Sequence, residues 1–314
     1  MNPVRSKAYL ELLIVSVIWG FATPIIKYTL GGFSPAVFLT YRFFISFVIA
    51  LVIMAATKFK LPKNPKVLAL TLFNGFLLTT VTLGLLFLGT DQTTSIDSNL
   101  ISTMAPIVIA VAGVFFLKEH ITKRESVGIL IALAGTLITI IEPVLKMQDG
   151  FGGLQGNLLV FASVLVGAAT AVLAKFVLRD EVDAMTATNL SFIVGFATII
   201  PIALLSNSPS EIISTIREAS LPYHLGVFYM AIFSGTIAYF LWHKAEKSIE
   251  ISEVSLFAYL FPLFGVPLAV VWLKEQITPP FIVGAIIIAL GVYIAEVKGP
   301  IKLPKVAQIK SLIK

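Results

Sequence analysis

Long apolar segments alternate with short polar segments along the whole chain. Each apolar segment covers about 20 residues, and a helix of that length crosses the roughly 30 Å hydrocarbon core of a bilayer. Turn-forming sequences such as "GGFSP" and "LPKNP" separate them. The pattern predicts an all-α membrane protein with ten transmembrane helices. The predicted helices cover residues 10–30, 34–57, 67–89, 94–117, 124–142, 156–179, 184–206, 224–244, 252–273 and 279–297.

The composition agrees with a membrane protein. Of the 314 residues, 57% are hydrophobic and 13% are charged, whereas soluble domains carry about 25% charged residues. The chain contains no cysteine and three histidines, and it lacks an HExxH motif, a phosphate-binding GxxxxGK[ST] loop and a pair of acidic residues flanking a pocket. We therefore expect neither an enzyme nor a metal or cofactor site, and no nucleic-acid partner.

Lysine and arginine are unevenly distributed between alternate polar segments. With a cytoplasmic N-terminus, the inner segments hold about three times as many basic residues as the outer ones. An even number of helices then leaves both termini in the cytoplasm of the inner membrane. The basic tail, 299–314, is either solvated or rests on anionic headgroups. The outer segments and outer helix ends hold only Lys27, Arg42, Lys146, Arg217 and Lys274.

The chain contains an internal repeat with a period of 156 residues. The sequence "FFLKEHIT" at 115–122 returns as "VWLKEQIT" at 271–278, and prolines and glycines align around it. Each repeat holds five predicted helices, and because five is odd the second repeat is expected to enter the membrane from the opposite side. Inverted repeats are typical of secondary transporters. The predicted organisation is a first repeat at 1–143, a linker at 144–155 and a second repeat at 156–298.

These features resemble the drug/metabolite transporter superfamily, in its ten-helix branch with two EamA-type repeats. The resemblance rests on "WGFATP" in the first helix, on Pro35 and Arg42 in the second, and on a Pro–Glu–Gly–Gly pattern that occurs at 106–119–128–135 and at 262–275–284–291. It covers about residues 8–298. The resemblance implies export or exchange of small metabolites, often amino acids, and a central cavity bounded by helices 1, 3, 4, 6, 8 and 9.

Secondary transport by alternating access is therefore the expected function. The alternatives are a channel or facilitator without alternating access and a nucleotide-sugar-like exchanger of the same superfamily. The expected partners are a small-molecule metabolite, the lipid bilayer and protons, with the chain as a monomer or weak homodimer.

Mid-helix prolines and polar residues indicate where the substrate binds. A mid-helix proline frees the carbonyl four residues earlier, which in a membrane is favoured beside protein or a wet cavity; the simpler alternative is a packing kink. Serine and threonine can equally bond within or between helices without contacting ligand. The predicted kinks are Pro24, Pro106 and Pro262, and the candidate substrate contacts, which suggest a mostly uncharged pocket, are Trp19, Thr23, Thr80, Asn99, Ser102, Thr103, Thr170, Thr236, Tyr239, Ser255 and Tyr259.

Three titratable residues are candidates for coupling or gating. Asp97 and Glu253 are repeat mates. Asp97 begins the fourth predicted helix at the outer side of the membrane, and Glu253 begins the ninth at the inner side. The simpler explanation is that acidic residues favour the positive end of a helix dipole. His243 ends the eighth predicted helix and titrates near neutral pH when unperturbed. We expect Lys175 and Arg42 to extend towards the membrane interfaces, and Glu119 and Glu275 to cap helix ends.

Overall fold

The fold is given by a computed structural model that describes residues 3–57, 59–118, 123–146, 152–179, 182–249 and 251–296. Within these ranges all regular structure is helical, and no strand occurs. The basic tail at 299–314 and part of the predicted linker lie outside the described residues. The all-α class predicted from the sequence is confirmed.

In the described part of the chain, five helices precede residue 147 and seven follow residue 151. Those of the first half are α1 (Pro3–Thr29), α2 (Pro35–Ala56), α3 (Pro65–Asp91), α4 (Ser95–Leu117) and α5 (Lys123–Lys146). Those of the second half are α6 (Gly152–Arg179), α7 (Ala184–Leu204), α8 (Pro209–Glu218), α9 (Leu221–Ser248), α10 (Ile251–Ser255), α11 (Phe261–Leu268) and α12 (Pro279–Glu296).

Seven helices in the described part of the chain are long and apolar enough to cross a membrane: α1, α2, α3, α4, α6, α7 and α9. Three further apolar stretches are shorter, and they lie where the sequence predicts the fifth, ninth and tenth spans: Ser126–Gly135, Phe257–Leu273 and Pro279–Gly291. The chain is therefore a multi-pass membrane protein, and the count of ten spans stays a prediction.

Polar side chains start the helices at the turns that the sequence marks. Ser34 accepts a hydrogen bond from the backbone of Val37 at the start of α2, and Thr94 accepts one from the backbone of Asp97 at the start of α4. Such caps satisfy backbone N–H groups that have no partner within the helix. This local chemistry explains why the predicted starts of α2 and α4, at 34 and 94, lie within one residue of the observed starts.

Two helical segments are broken just before the repeat-mate prolines. In α4 the α-helix stops at Ser102 and resumes at Ala105, which places Pro106 in the first turn of the second part. In the second half a 3₁₀ turn at Leu256–Leu260 precedes α11, and Pro262 lies in the first turn of that helix. Proline cannot donate the backbone hydrogen bond that a continuous helix needs there.

Pro24 differs from the other two prolines. It lies inside α1, which continues from Pro3 to Thr29 as one helix, so the structure shows no interruption at this predicted kink.

The helices α5 and α12 pack closely through small residues. A Cβ atom on Gly135 would lie 2.8 Å from the carbonyl oxygen of Gly284, and a Cβ atom on Gly291 would lie 2.6 Å from the carbonyl oxygen of Gly128. Both distances are too short for a real Cβ contact, so this close approach requires glycine at positions 135 and 291. The two contacts are reciprocal, since Gly284 and Gly291 follow Gly128 and Gly135 by the same 156 residues.

Glu275 caps a helix across the repeat boundary, as the sequence predicts. Its two carboxylate oxygens accept hydrogen bonds from the backbone N–H groups of Ser95 and Ile96, each at 2.9 Å. A carboxylate at a helix N-terminus also complements the helix dipole. The contact ties the loop before α12 to the start of α4. The repeat mate Glu119 lies outside the described residues.

Candidate functional site

A central cavity of about 210 Å³ lies among the helices. Its lining comes from α1, α3, α4, α6, α9 and the α10–α11 region, which correspond to the predicted helices 1, 3, 4, 6, 8 and 9, and from Arg42 of α2. The lining is mostly apolar, with polar groups at a few positions, which is the usual composition of a small-molecule site.

Equivalent positions of the two repeats line the cavity. In α4 and in the α10–α11 region, the side that faces the cavity is the same in both repeats. The helix breaks before Pro106 and Pro262 lie on this side. Backbone groups that lose their helical hydrogen bonds at these breaks are therefore next to the cavity rather than in lipid. The pairs of lining residues, each separated by 156 positions, are Asn99 and Ser255, Ser102 and Ala258, and Ala105 and Phe261.

The helices α3 and α9 show the same correspondence. Each contains a π-helical stretch, Leu77–Thr82 in α3 and Tyr229–Ile237 in α9, and π-helical segments often occur at functional sites. The corresponding lining pairs are Asn74 and Met230, Leu78 and Ser234, Leu83 and Tyr239, and Leu86 and Trp242.

Most of the residues predicted to contact the substrate line this cavity. They share a position on a cavity-facing side of a helix, and their contribution to binding stays a prediction. They are Trp19, Thr23, Asn99, Ser102, Thr170, Tyr239 and Ser255, together with the coupling candidate His243.

Four predicted contacts do not line the cavity. Three are threonines whose hydroxyl groups bond within the helix bundle: Thr80 bonds to Thr198, Thr103 donates to the carbonyl of Leu100, and Thr236 donates to the carbonyl of Ala231. Tyr259 lies in the 3₁₀ turn between α10 and α11, where Ala258 and Phe261 supply the lining instead. Helix depth alone did not distinguish the side that faces the cavity.

An aromatic cluster forms one wall of the cavity around Trp19. The ring centroids of Tyr239 and Trp242 each lie 5.0 Å from that of Trp19, and the centroid of Phe261 lies 6.0 Å away. The indole Nε1–H of Trp19 donates to the carbonyl of Ser234 at 3.0 Å. The cluster joins α1 to α9 and α11, and it offers a rigid apolar surface to an amphipathic ligand.

Titratable residues line the cavity from one side of α9. Tyr239, His243 and Glu246 follow one another at spacings of four and three residues, which places them on one face of the helix. Trp242 donates a hydrogen bond to Oε1 of Glu246 at 2.9 Å, and Thr188 bonds to Nδ1 of His243 at 3.0 Å. Glu246 was not among the predicted site residues, because the sequence pattern ended this helix at 244 whereas α9 continues to Ser248.

Arg42 faces the cavity and does not extend outward to the membrane interface, so that prediction is wrong, whereas the inward direction expected for Lys175 stays a prediction. Arg42 is fully buried and lines the cavity. Lys175 is also buried, and its ammonium group donates to the carbonyls of Glu246 and Ile249 at the end of α9. The lining is mostly uncharged, although it also contains the ionisable residues Arg42, Glu246 and His243, of which Arg42 and Glu246 were not among the predicted site residues. The sequence signal that could have identified Arg42 is its charge within a predicted membrane span, because an ionisable residue inside a span by default marks a functional position.

Of the two acidic repeat mates, only Asp97 has a described side chain, and it does not line the cavity. It is buried near the start of α4, within hydrogen-bonding distance of Thr93 at 3.4 Å. The side chain of Glu253 lies outside those that the structure describes. A coupling role for these residues stays a prediction.

The fold and cavity define the class of this protein. Its bundle of membrane-spanning helices surrounds a central, partly polar cavity that both halves of the chain line at equivalent positions. That combination is typical of a polytopic membrane transporter for small molecules.

Comparison with known proteins places the chain within that class. The sequence model of the EamA-like transporter family matches residues 6–141 and 154–296, and the chain therefore belongs to the EamA-like transporter family. Family membership places it among transporters rather than enzymes. A solved structure titled "Crystal structure of protein" has the same fold, with a TM-score of 0.68 at 16% identity, and the match covers 93% of this chain and 98% of that one.

Curated relatives match nearly the full length of the chain. The uncharacterized transporter YyaM of Bacillus subtilis (strain 168) is 27% identical over 312 residues, 95% of each chain. A protein of Salmonella typhimurium named as a probable amino-acid metabolite efflux pump is 25% identical over 301 residues, 92% of this chain and 94% of the relative. A protein of Escherichia coli (strain K12) with the same name is 24% identical over 298 residues.

Proposed function

We propose that this protein is a secondary transporter of the inner membrane that exports or exchanges small amphipathic metabolites, amino acids or related compounds, by alternating access. The observation that carries the proposal is the central cavity, which equivalent residues of the two repeats line. The names of the Salmonella and Escherichia relatives support amino-acid-like substrates.

Two inverted five-helix repeats would supply the two states that alternating access requires. Gly135 contacts Gly284, and Gly291 contacts Gly128. Such reciprocal contacts between equivalent residues are expected when a two-fold axis relates the two repeats. Lys118 and Lys274, which end equivalent helices, both have left-handed backbones, with φ of 58° and 59°. Because the halves are alike, exchanging their conformations gives outward-open and inward-open states of similar energy.

The inversion predicts that these two lysines face opposite sides of the membrane. The wild-type chain contains no cysteine, so Lys118→Cys and Lys274→Cys each introduce a single thiol at an equivalent position. In intact cells, we expect a membrane-impermeant maleimide to label Lys274→Cys and to label Lys118→Cys only after permeabilisation. Labelling of both variants from the same side would contradict inverted repeats and the cytoplasmic termini.

Flux measurements in liposomes test transport itself. With purified protein, we expect uptake of at least one radiolabelled amino acid or related metabolite to saturate with concentration and to increase when the liposomes are preloaded with the same unlabelled solute. Counterflow of this kind requires a site that reorients, which a channel does not have. Flux that rises linearly, without stimulation by preloading, would instead support a channel or facilitator. Protein-free liposomes provide the background.

Coupling to protons is a separate part of the proposal. Of the predicted coupling residues with described side chains, Asp97 and His243, only His243 lines the cavity, and Glu246 lies one turn further along the same helix. If a proton is exchanged for substrate, this face of α9 is where a titrating group would meet the substrate.

A further inference from the structure

Arg42 is a buried cation whose hydrogen-bonding groups have no acceptor. Its side chain is 0% exposed, and the nitrogens Nε, Nη1 and Nη2 have no hydrogen-bond partner among the described residues. The residue lies seven positions after the start of α2, about 10 Å along the helix. It is thus within the depth of the membrane, at the wall of the cavity.

Contacts with the surrounding protein do not offset the burial of this charge. The guanidinium carbon lies 5.6 Å from the ring centroid of Phe43 and 5.5 Å from that of Phe87. Such cation–π contacts are weak, whereas an unpaired buried ion carries a large desolvation cost. A guanidinium group also carries five N–H donors, and aromatic rings satisfy them poorly. A purely structural role for Arg42 therefore leaves most of this cost unexplained.

Other polar atoms without partners surround the same cavity. Six described residues have buried side-chain atoms with no hydrogen-bond partner, and four of them line the cavity. This concentration at one place indicates a polar occupant rather than scattered packing defects. The four residues are Arg42, Asn74, Thr82 and Glu246.

We propose that Arg42 binds the carboxylate group of the transported substrate, whose apolar part packs against the aromatic wall around Trp19. The proposal rests on the proposed transport function and assigns the anion-binding residue of that site. The planar guanidinium fork matches a carboxylate with two parallel N–H···O bonds. One buried cation without a partner also matches one negative charge, which favours a carboxylate over a phosphate dianion.

Ligands that differ only in charge test the proposal directly. We would titrate the purified protein with 3-phenylpropanoate, 3-phenylpropan-1-ol and 3-phenylpropylamine, which share one ring and chain and are anionic, neutral and cationic at neutral pH. Binding is measured by isothermal titration calorimetry in one detergent. We expect the carboxylate to bind at least about tenfold more tightly than the alcohol, since one charge-assisted bidentate contact contributes 1.4 kcal/mol or more. The amine is expected to bind no better than the alcohol.

Substitution of Arg42 should remove the preference for the anion. In Arg42→Gln the carboxylate and the alcohol are expected to bind equally, while Arg42→Lys keeps part of the preference because the charge stays without the bidentate geometry. Arg217→Gln is the matched control: Arg217 is exposed on α8, away from the cavity, and its loss should leave the preference unchanged. Because the ratio of two ligands is compared in the same detergent, their partition into micelles cancels between variants.

The outcomes that overturn the proposal are distinct from those that overturn transport. Equal binding of carboxylate and alcohol by the wild type would reject the anion site, even if Arg42→Gln fails to fold. An unchanged preference in a folded Arg42→Gln variant would reject Arg42 as its origin, and displacement of 3-phenylpropanoate by equimolar inorganic phosphate would reject a carboxylate site. Counterflow of any solute would leave the transport function intact in each case, whereas absence of counterflow contradicts transport but not the binding results.

Discussion

Replacing Gly265 with alanine is expected to lower the midpoint of thermal unfolding by about 5 °C and to reduce the yield of monodisperse protein. A Cβ atom at this position would lie 2.4 Å from Nδ2 of Asn99 and 2.6 Å from the carbonyl oxygen of Gly20. The second contact is with backbone, so α1 and α11 must separate to make room. Overpacking of this kind typically costs about 1–3 kcal/mol, and in a protein of this size each kcal/mol shifts the midpoint by a few degrees.

Gly84→Ala is the matched control for this prediction. The added methyl group is the same, but no heavy atom lies within 4 Å of the site where it would be placed on α3. Alanine is also favoured over glycine inside a helix by about 0.5–1 kcal/mol. The control midpoint should therefore stay the same or rise slightly. Thermal melts of the two purified variants that coincide would show that the approach of α1, α4 and α11 is not as close as the structure indicates.

Replacing Trp19 with alanine is expected to reduce the initial rate of counterflow at least about tenfold. The indole ring is the centre of the aromatic wall and contacts Tyr239, Trp242 and Phe261. Its loss removes apolar surface from the ligand and leaves a wider cavity, and a loss of 1.4 kcal/mol of binding free energy corresponds to a tenfold weaker affinity. The rate is measured in liposomes with the solute that gives the largest counterflow in the wild type.

Trp19→Phe separates the ring from its hydrogen bond. Phenylalanine keeps an aromatic ring in the wall, although a smaller one, and loses the donor to the carbonyl of Ser234, so most of the transport rate should remain. Monodisperse elution and a thermal melt of each variant establish that it is folded. A folded Trp19→Ala variant with wild-type counterflow would mean that the substrate does not use this wall.

Local sequence chemistry predicted the seven long helices of the described chain, whereas the apolar stretches at the fifth, ninth and tenth predicted spans are shorter. Apolar length and turn-forming sequences such as "GGFSP" act within one helix or turn, so they can be read without knowing the tertiary structure. The prediction that Glu275 caps a helix was correct for the same reason, although only the structure shows that it caps α4 of the other repeat. The end of α9 was placed four residues too early, because its last turn is polar.

The side of each helix that faces the cavity was harder to predict. Thr103 and Ser102 are adjacent and chemically similar, yet Ser102 lines the cavity while Thr103 bonds back to Leu100 within the break. The difference depends on the rotation of α4 about its axis, which the neighbouring helices determine. The direction of the Arg42 side chain was equally hard to predict. A long side chain about 10 Å along a membrane helix can extend to the interface or turn to the interior of the bundle. In the structure the guanidinium group lies in the interior, beside the rings of Phe43 and Phe87.

The sequence by itself therefore determined the membrane class, the helices, the repeat and the resemblance to a transporter superfamily, because these follow from hydropathy, spacing and short-range chemistry. Only the tertiary structure showed which side chains of α1, α2 and α9 meet at one cavity, and that two ionisable residues, Arg42 and Glu246, lie in its wall. The physical reason is that contact across a helix bundle depends on the rotation and close approach of separate helices, which no single segment specifies.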